Sequence, residues 1–427
     1  MIGGMRVLLT EGSGLTSRQV ATRLGELGHE VEILSSTRLC LTRFTRHVRR
    51  LHLVPGFARS PLEWLTAAKT IAKARSIDVI FPTQEQVAAL SAFHRTLEVT
   101  TIVPDFGALR RVQDKISAFR TLNSLGIPQP HAVVVRANGD LAGVTKFPVF
   151  VKRPISTASS GVRRASSPRE LESVATAMQL GTRDLLIQEF HQGPLAMVQA
   201  VADAGRLIAL HANLRVLEGV GGGAALKESV ALGGFREHLE RLVAALRWTG
   251  ALSMDVIMTT DGPLVIDVNP RLVEPMNAYL AGVDLIAPML QMAQAGHPNP
   301  IPDGQVGIRS RQLLLAILGT AQQTNSRAAI IQLLYNLLRG TGELGKATEE
   351  LTPTSGDPIA ALPVIAAVVA TLAKPSLWRR FHSGAVGPYA LTPEAWDAII
   401  AAANQLGGGR YRSPLCNLPE PPARGAP

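Results

Sequence analysis

The chain has 427 residues, of which 46% are hydrophobic and 18% charged, and it carries a net charge of +10 at pH 7. That length exceeds one compact core and predicts two or three domains, and the composition excludes a disordered chain. The positive balance favours polyanionic ligands such as nucleotides and phosphates. Much of it lies early, in Arg38, Arg43, Arg46, Arg49, Arg50 and Arg59, with His47 and His52. Only Phe44 and Phe57 lie nearby, too few aromatics for a nucleic-acid stacking surface, so this run reads as a solvated loop and helix face. Two cysteines, Cys40 and Cys416, make no disulfide framework and suit a reducing cytoplasm. The N-terminus lacks a signal-peptide pattern and enters a strand directly. The longest apolar stretch, 359–373, contains a proline and is short of the roughly 20 residues of a membrane span. It reads as a buried helix.

In chain order, residues 5–10 predict a strand, EGSGLTSRQVATRLGELG a turn and helix, and HEVEILSS a second strand. IDVIFPT (77–83) and VTTIVP (99–104) continue the alternation, which means a parallel sheet with right-handed crossovers. GSGLTS lacks the third glycine of a dinucleotide fingerprint, and no acidic residue closes the second strand, so Gly12-Ser13-Gly14 reads as a tight turn. RVQDKISAFRTLNSLG predicts one amphipathic helix ending at Gly126, with Pro128 and Pro130 as stop signals. AVVV (132–135), FPVFVKRP (147–154) and LLIQEF (185–190) predict strands, with a small-residue loop at 156–161 and a helix at 169–180. Two more strands precede the glycine-rich GVGGGAALKESV (219–230), and a helix follows at 236–248.

ALSMDVIMTTDGPLVIDVNPR then predicts a hairpin around Thr260-Asp261-Gly262. Asp267 and Asn269 share a face, since side chains alternate along a strand, and Pro270 ends the pairing. Asp255 on the partner strand can face Asp267. Three hard oxygen donors in one spot suit Mg²⁺, which takes one or two carboxylates plus substrate phosphates. Lys115, Lys152, Arg215 and Arg271 are the cations for those phosphates, and the glycine-containing loops let backbone N–H groups approach.

The ordered set DK…GIPQP…FPVFVKRP…SSGV…IQEF…GGG…ES…MD…IDVNPR resembles the ATP-grasp superfamily over roughly residues 5–300. It is most similar to the branch of carbamoyl-phosphate synthase large subunits and carboxylate–amine ligases. The resemblance implies a Rossmann-like domain (1–110) before a split α+β ATP-grasp domain (111–300) with two antiparallel sheets and a mobile lid at about 147–190. It implies Lys115 and Lys152 on ATP phosphates, and Ser159, Ser160 and Gly161 in the loop covering them. Gln188, Glu189, Phe190 and His191 would receive adenine, and Asp255, Asp267 and Asn269 would hold Mg²⁺ or Mn²⁺. Arg271 would stabilise the transferring phosphoryl group, with Arg215 beside it and Lys227 and Glu228 as weaker candidates. Glu218 and Glu274 are candidates to face the substrate. His191 and His211 read as structural rather than catalytic. Two departures stand out: Asp267 replaces the usual Glu, and Leu195 and Ala196 stand where a ribose-binding Glu is usual.

The implied activity is ATP-dependent ligation of a small carboxylate to an amine through an acylphosphate, releasing ADP and phosphate. A carboxylase or carbamoyl-phosphate-type step, or nucleotide binding without turnover, are the alternatives. The region 301–415 predicts mostly helices without an assignable motif, which pack beside the grasp domain, mediate homodimerisation or shape the substrate pocket. Residues 416–427 read as a disordered tail. No nucleic-acid partner is expected. A membrane-surface role is favoured only by Lys374, Trp378, Arg379 and Arg380.

Overall fold

The computed structural model describes residues 4–157 and 160–406, and of these the side chains of 382–384 are left aside; Ser159, Cys416 and the 416–427 tail lie outside the described residues. The first hundred residues build a parallel sheet of β1 (Arg6–Leu9), β2 (Glu30–Ser35), β3 (Val48–Leu53), β4 (Val79–Phe81) and β5 (Thr100–Thr101), in the order β3-β2-β1-β4-β5. Helices α1 (Leu15–Glu26), α2 (Pro61–Ala74) and α3 (Val87–Phe93) connect them. Val7, Leu8, Leu9, Val79, Ile80 and Phe81 are all buried, as parallel strands covered on both faces require. β3 corrects the reading of the basic run as loop and helix face. VRRLHL is an edge strand with Arg49 and Arg50 exposed, and charge at a sheet edge blocks addition of another strand.

The single helix expected at 111–126 is two, α4 (Phe106–Gln113) and α5 (Lys115–Ser124). Asp114 is extended (φ −83°, ψ 126°), and its carboxylate accepts from the N–H groups of Ile116 and Ser117 at 2.8 and 2.9 Å. This capping satisfies orphan donors of α5 and fixes Lys115 as its first residue. An antiparallel sheet follows from β6 (Ala132–Val135), β7 (Val149–Lys152), β8 (Val162–Ala165) and β9 (Leu185–Glu189), in the order β6-β9-β7-β8. Helix α6 (Pro168–Ala177) covers it through Leu171 and Ala175 against Val149, Val151, Leu185 and Ile187.

The largest sheet contains β10 (Leu195–Asp203), β11 (Arg206–Glu218), β12 (Ala224–Ser229), β13 (Gly250–Thr259), β14 (Gly262–Asn269), β15 (Arg309–Arg311) and β16 (Thr348–Glu349), in the order β14-β13-β10-β11-β12-β15-β16. One face is apolar: Val198, Ala200, Met254, Val256 and Val265 pack on Leu239 and Leu242 of α7 (Phe235–Leu246). The other face carries the polar side chains of the site, while its Val201, Ala209 and Ala251 join the core of the first sheet. Short helices α8 (Met276–Leu280) and α9 (Ala287–Ala293) follow the hairpin.

The C-terminal region contains α10 (Leu313–Thr324), α11 (Arg327–Leu338), α12 (Gly342–Gly345), α13 (Ala361–Ala373), α14 (Trp378–Val386) and α15 (Pro393–Leu406). It departs from the expected helical appendage in two ways. It supplies β15 and β16, so Arg309-Ser310-Arg311 is strand where helical spacing was read. And α15 returns to the first domain, where Leu391, Ala395, Trp396 and Ile399 share a core with Leu8, Trp64 and Leu90. The Trp396 ring stands edge-on to Phe106 at 5.8 Å. The apolar stretch 359–373 does form a helix, but not a buried one: Leu362, Ile365 and Val369 are 50%, 54% and 63% exposed.

Candidate active site

The hairpin β13–β14 places Asp255 directly opposite Asp267 and Ser253 opposite Asn269. Directly opposed side chains lie about 5 Å apart at Cβ, so the two carboxylates face one point. Asn269 Nδ2 donates to Asp255 Oδ2 at 3.4 Å. Burial, reinforced by the Asp267 charge, pushes the Asp255 carboxyl up from 3.8 to about 6. Burial acts upward on Asp267 too, but Lys115 and Lys152 outweigh it and hold that carboxyl below its ordinary value. Next to this pair the register steps: Asp255 pairs with Asp267, yet Val256 pairs with Val265. Ile266 is the extra residue of a β-bulge, left out of the ladder, and its carbonyl is free to accept from Lys152 Nζ at 2.6 Å.

Two lysines thus converge on the aspartates. Lys115, capped into place at the start of α5, puts Nζ 2.6 Å from both oxygens of Asp267. Lys152 ends β7, 5% exposed, and desolvation lowers its pKa from 10.5 to about 8 against the pull of Asp267.

Arg271 enters from just beyond β14. Its Nε donates to Glu85 Oε1 at 3.1 Å, and Gln113 Nε2 holds the other Glu85 oxygen at 3.4 Å. Burial works against the guanidinium charge, but Glu85 and then Tyr389 outweigh it and raise the Arg271 pKa. Tyr389 is itself pushed up to about 12 by burial, against Arg271 and with Glu85, Glu11 and Glu274. Glu274 takes a left-handed φ of 45°, a strained setting for a non-glycine residue. Its N–H donates to Thr16 Oγ1 at 3.1 Å, and its carboxylate binds Lys227 at 2.6 Å.

Glu85 and Tyr389 were missed by sequence reasoning. A signal existed for Glu85: Gln84-Glu85-Gln86 follows β4 beside the point where strand order reverses, the usual ligand position in open parallel sheets. Tyr389 lies in a segment without a motif, and only the return of α15 brings it here.

The remaining candidates divide. Gln188 is buried on β9, and Glu189 lies 3.6 Å from His131 and 3.7 Å from Lys146. Phe190 is exposed and tilts against Phe150 at 6.1 Å. Glu189 and His191 line a cavity of about 690 Å³ between β9 and the hairpin turn. A narrow gap of about 20 Å³ lined by Lys115, Gln188 and Asp267 lies between the two sheets. Ser160 and Gly161 belong to the turn after β7, where Ser160 N–H bonds Thr157 O at 3.1 Å and Arg153 N–H bonds Gly161 O at 2.9 Å. Arg215 is not brought to the aspartates: it holds Gly222 O at 2.6 Å and Glu218 at 3.2 Å. Lys227 is buried between Glu274 and Glu350, and Glu228 pairs with Arg309 at 2.5 Å. His211 is lowered to about 4 by burial and bonds Asn277 at 2.8 Å, a structural neutral imidazole. Gly12 and Gly14 are explained by close packing, since a Cβ on either would meet Cys40 Sγ at 2.6 Å or Gln84 Nε2 at 2.1 Å.

Among the described residues no group of three or more His, Cys, Asp or Glu is arranged to hold a metal unaided. Two facing carboxylates with an adjacent amide oxygen nevertheless fit a hard cation that completes its shell with phosphate oxygens and water. The raised Asp255 pKa marks carboxylate charge that the protein leaves incompletely neutralised.

Comparison with solved structures shows the same fold at low identity. The biotin carboxylase domain of 2-oxoglutarate carboxylase from Hydrogenobacter thermophilus superposes with a TM-score of 0.57 at 18% identity, covering 71% of this chain and 73% of that one. L-amino acid ligase from Bacillus licheniformis gives 0.55 at 16% identity, with 68% and 74% covered. N5-carboxyaminoimidazole synthetase from Staphylococcus aureus gives 0.56 at 12%, with 73% and 82% covered. No curated protein sequence matches significantly. Residues 112–275 of this chain, which contain both sheets' site residues from Lys115 to Arg271, match an ATP-grasp domain.

Proposed function

We propose that this protein is an ATP-dependent ligase that activates a small carboxylate as an acylphosphate and joins it to an amine, releasing ADP and phosphate. The observation that carries this reading is the convergence of Lys115, Lys152, Asp255, Asp267, Asn269 and Arg271 in one cleft. Phosphoryl transfer asks for positioning and charge neutralisation rather than a protein nucleophile.

The adenosine end of ATP is assigned to the cavity at β9 and the hairpin turn. Glu189 and Asp261 line it and are the carboxylates available to the ribose hydroxyls. Lys115 and Lys152 bind the phosphates. Asp255, Asp267 and Asn269 would hold Mg²⁺ or Mn²⁺, which neutralises phosphate charge and orients the chain of phosphates when bound. A substrate carboxylate oxygen attacks the γ-phosphorus, and the bridging P–O bond breaks with its electrons leaving on ADP. Arg271, its Nε occupied by Glu85, turns its remaining N–H groups to the transferred group. The amine lone pair then attacks the acyl carbon, the C–O bond to phosphate breaks, and the nitrogen loses a proton. The turn at Ser160 and Gly161 would help exclude water from the acylphosphate.

Small-molecule acid and amine are the substrates of this reading. Cys40, a buried free thiol, fits the cytoplasmic location it implies. The test is trapping: MgATP, a candidate acid and hydroxylamine should yield a hydroxamate in step with ADP. ADP without hydroxamate across the acid panel would assign the phosphoryl group to another acceptor.

A further inference from the structure

Helices α11 and α13 pack side by side over α10, with Leu333, Leu334, Val364 and Val368 turned inward against Ile317 and Ala321. Their outer faces carry Ile331, Tyr335 and Leu338, which are 56%, 48% and 89% exposed, and Leu362, Ile365 and Val369, 50%, 54% and 63% exposed. The spacing i, i+4, i+7 on α11 and i, i+3, i+7 on α13 makes each set one helix face. On α13 the polar side chain is Thr371, which is fully buried and bonds Ala367 O at 2.7 Å. The solvent side of that helix is therefore entirely apolar, the opposite of what a surface helix presents.

Charge around this face is predominantly positive; α12, which packs on α11, adds Glu343, and that carboxylate lies 4.0 Å from Arg309. The segments 327–342 and 358–389 contain Arg327, Arg339, Lys374, Arg379 and Arg380 and no Asp or Glu. Arg327 donates to Ala373 O, tying the α11 start to the α13 end. Arg339 lies over the Tyr335 ring at 4.9 Å, and Arg380 is exposed just beyond. An apolar face with a cationic rim is the pattern of helices that lie in the plane of an anionic bilayer surface. A two-fold contact with a second copy would bring these cations against one another with no carboxylate in either segment to pair them. Among the described residues no helix is long and apolar enough to cross a membrane.

We propose that the α11–α13 face docks the protein on an anionic lipid surface. The site is independent of the catalytic assignment. The test uses the full chain, sedimented with phosphatidylcholine vesicles and with vesicles containing phosphatidylserine, at low and high salt. Expected is roughly tenfold or greater enrichment on the anionic vesicles, reduced by salt. The exposed double variant L362Q/V369Q should lose binding on both, with an unchanged circular dichroism spectrum. K374E/R380E should lose the preference for phosphatidylserine. Equal binding by L362Q/V369Q and the parent chain would overturn the proposal. So would failure of the parent chain to bind either vesicle, including the case in which light scattering finds a dimer that L362Q/V369Q dissolves.

Discussion

Lys115 Nζ lies 2.6 Å from both carboxylate oxygens of Asp267, so a lysine ammonium neutralises a carboxylate that the proposed metal site would use. In the proposed site, lysine and metal would compete for Asp267, and a bound phosphate would draw the ammonium away. Replacing Lys115 by Met should tighten Mn²⁺ binding without nucleotide by roughly tenfold, since an ion pair no longer opposes it. Turnover should fall by about a hundredfold or more, for want of a phosphate contact. Mn²⁺ titration followed by magnetic resonance separates the effects; weaker metal binding would count against competition.

Asp255 predicts a stability trend in metal-free protein. Its pKa is raised from 3.8 to about 6, so its favourable contribution is complete below about 4 and is lost as pH rises through about 6. Asp255→Asn should flatten that decline and melt a few degrees higher near neutral pH. It should also abolish the melting increment given by Mg²⁺ with ATP. Differential scanning calorimetry across pH measures both; a lower melting temperature for the variant at neutral pH contradicts the burial argument.

In the proposed site Lys152 would set an alkaline limit on nucleotide binding. Its pKa is lowered to about 8 by desolvation, and the ammonium form that binds phosphate is lost above that value. ATP affinity should weaken as pH rises through about 8. Lys152→Arg keeps its charge and should remove this limb, even if its affinity is lower throughout. Calorimetric titration with ATP at rising pH checks it, and a profile unchanged by the substitution would assign the limb elsewhere.

Glu85 positions Arg271 through the 3.1 Å bond to Nε. Glu85→Gln should lower kcat by about tenfold to a hundredfold with little change in KM for ATP, because the guanidinium is misaimed rather than removed. A change confined to KM would place Glu85 on the nucleotide instead.

Much of this site was legible because it depends on local pattern. Alternation put Asp267 and Asn269 on one face, and the Thr260-Asp261-Gly262 turn put Asp255 on the facing strand, but the turn register alone would set it opposite Ile266; the bulge there brings it opposite Asp267. The bulge at Ile266, which frees the carbonyl that holds Lys152, left no mark in an apolar run. Glu85, Tyr389 and Glu350 come from other parts of the chain, and contacts across hundreds of residues have no local signature. The strand β3 was hidden by its arginines, which belong to an edge rather than a loop. The exposed face of α13 was misread for a related reason: apolar composition says that a helix will be covered, not by what.

In the proposed reaction this cleft passes the γ-phosphoryl of ATP to a carboxylate destined for an amine. ADP release from MgATP across a panel of acid–amine pairs tests it most directly, with Lys152→Ala and Asp267→Ala measured beside the parent chain. Expected is ADP from at least one pair that depends on both partners, and a loss of about a thousandfold in each folded variant. Bound ATP that yields no ADP with any pair, or near-normal turnover in either variant, would contradict it.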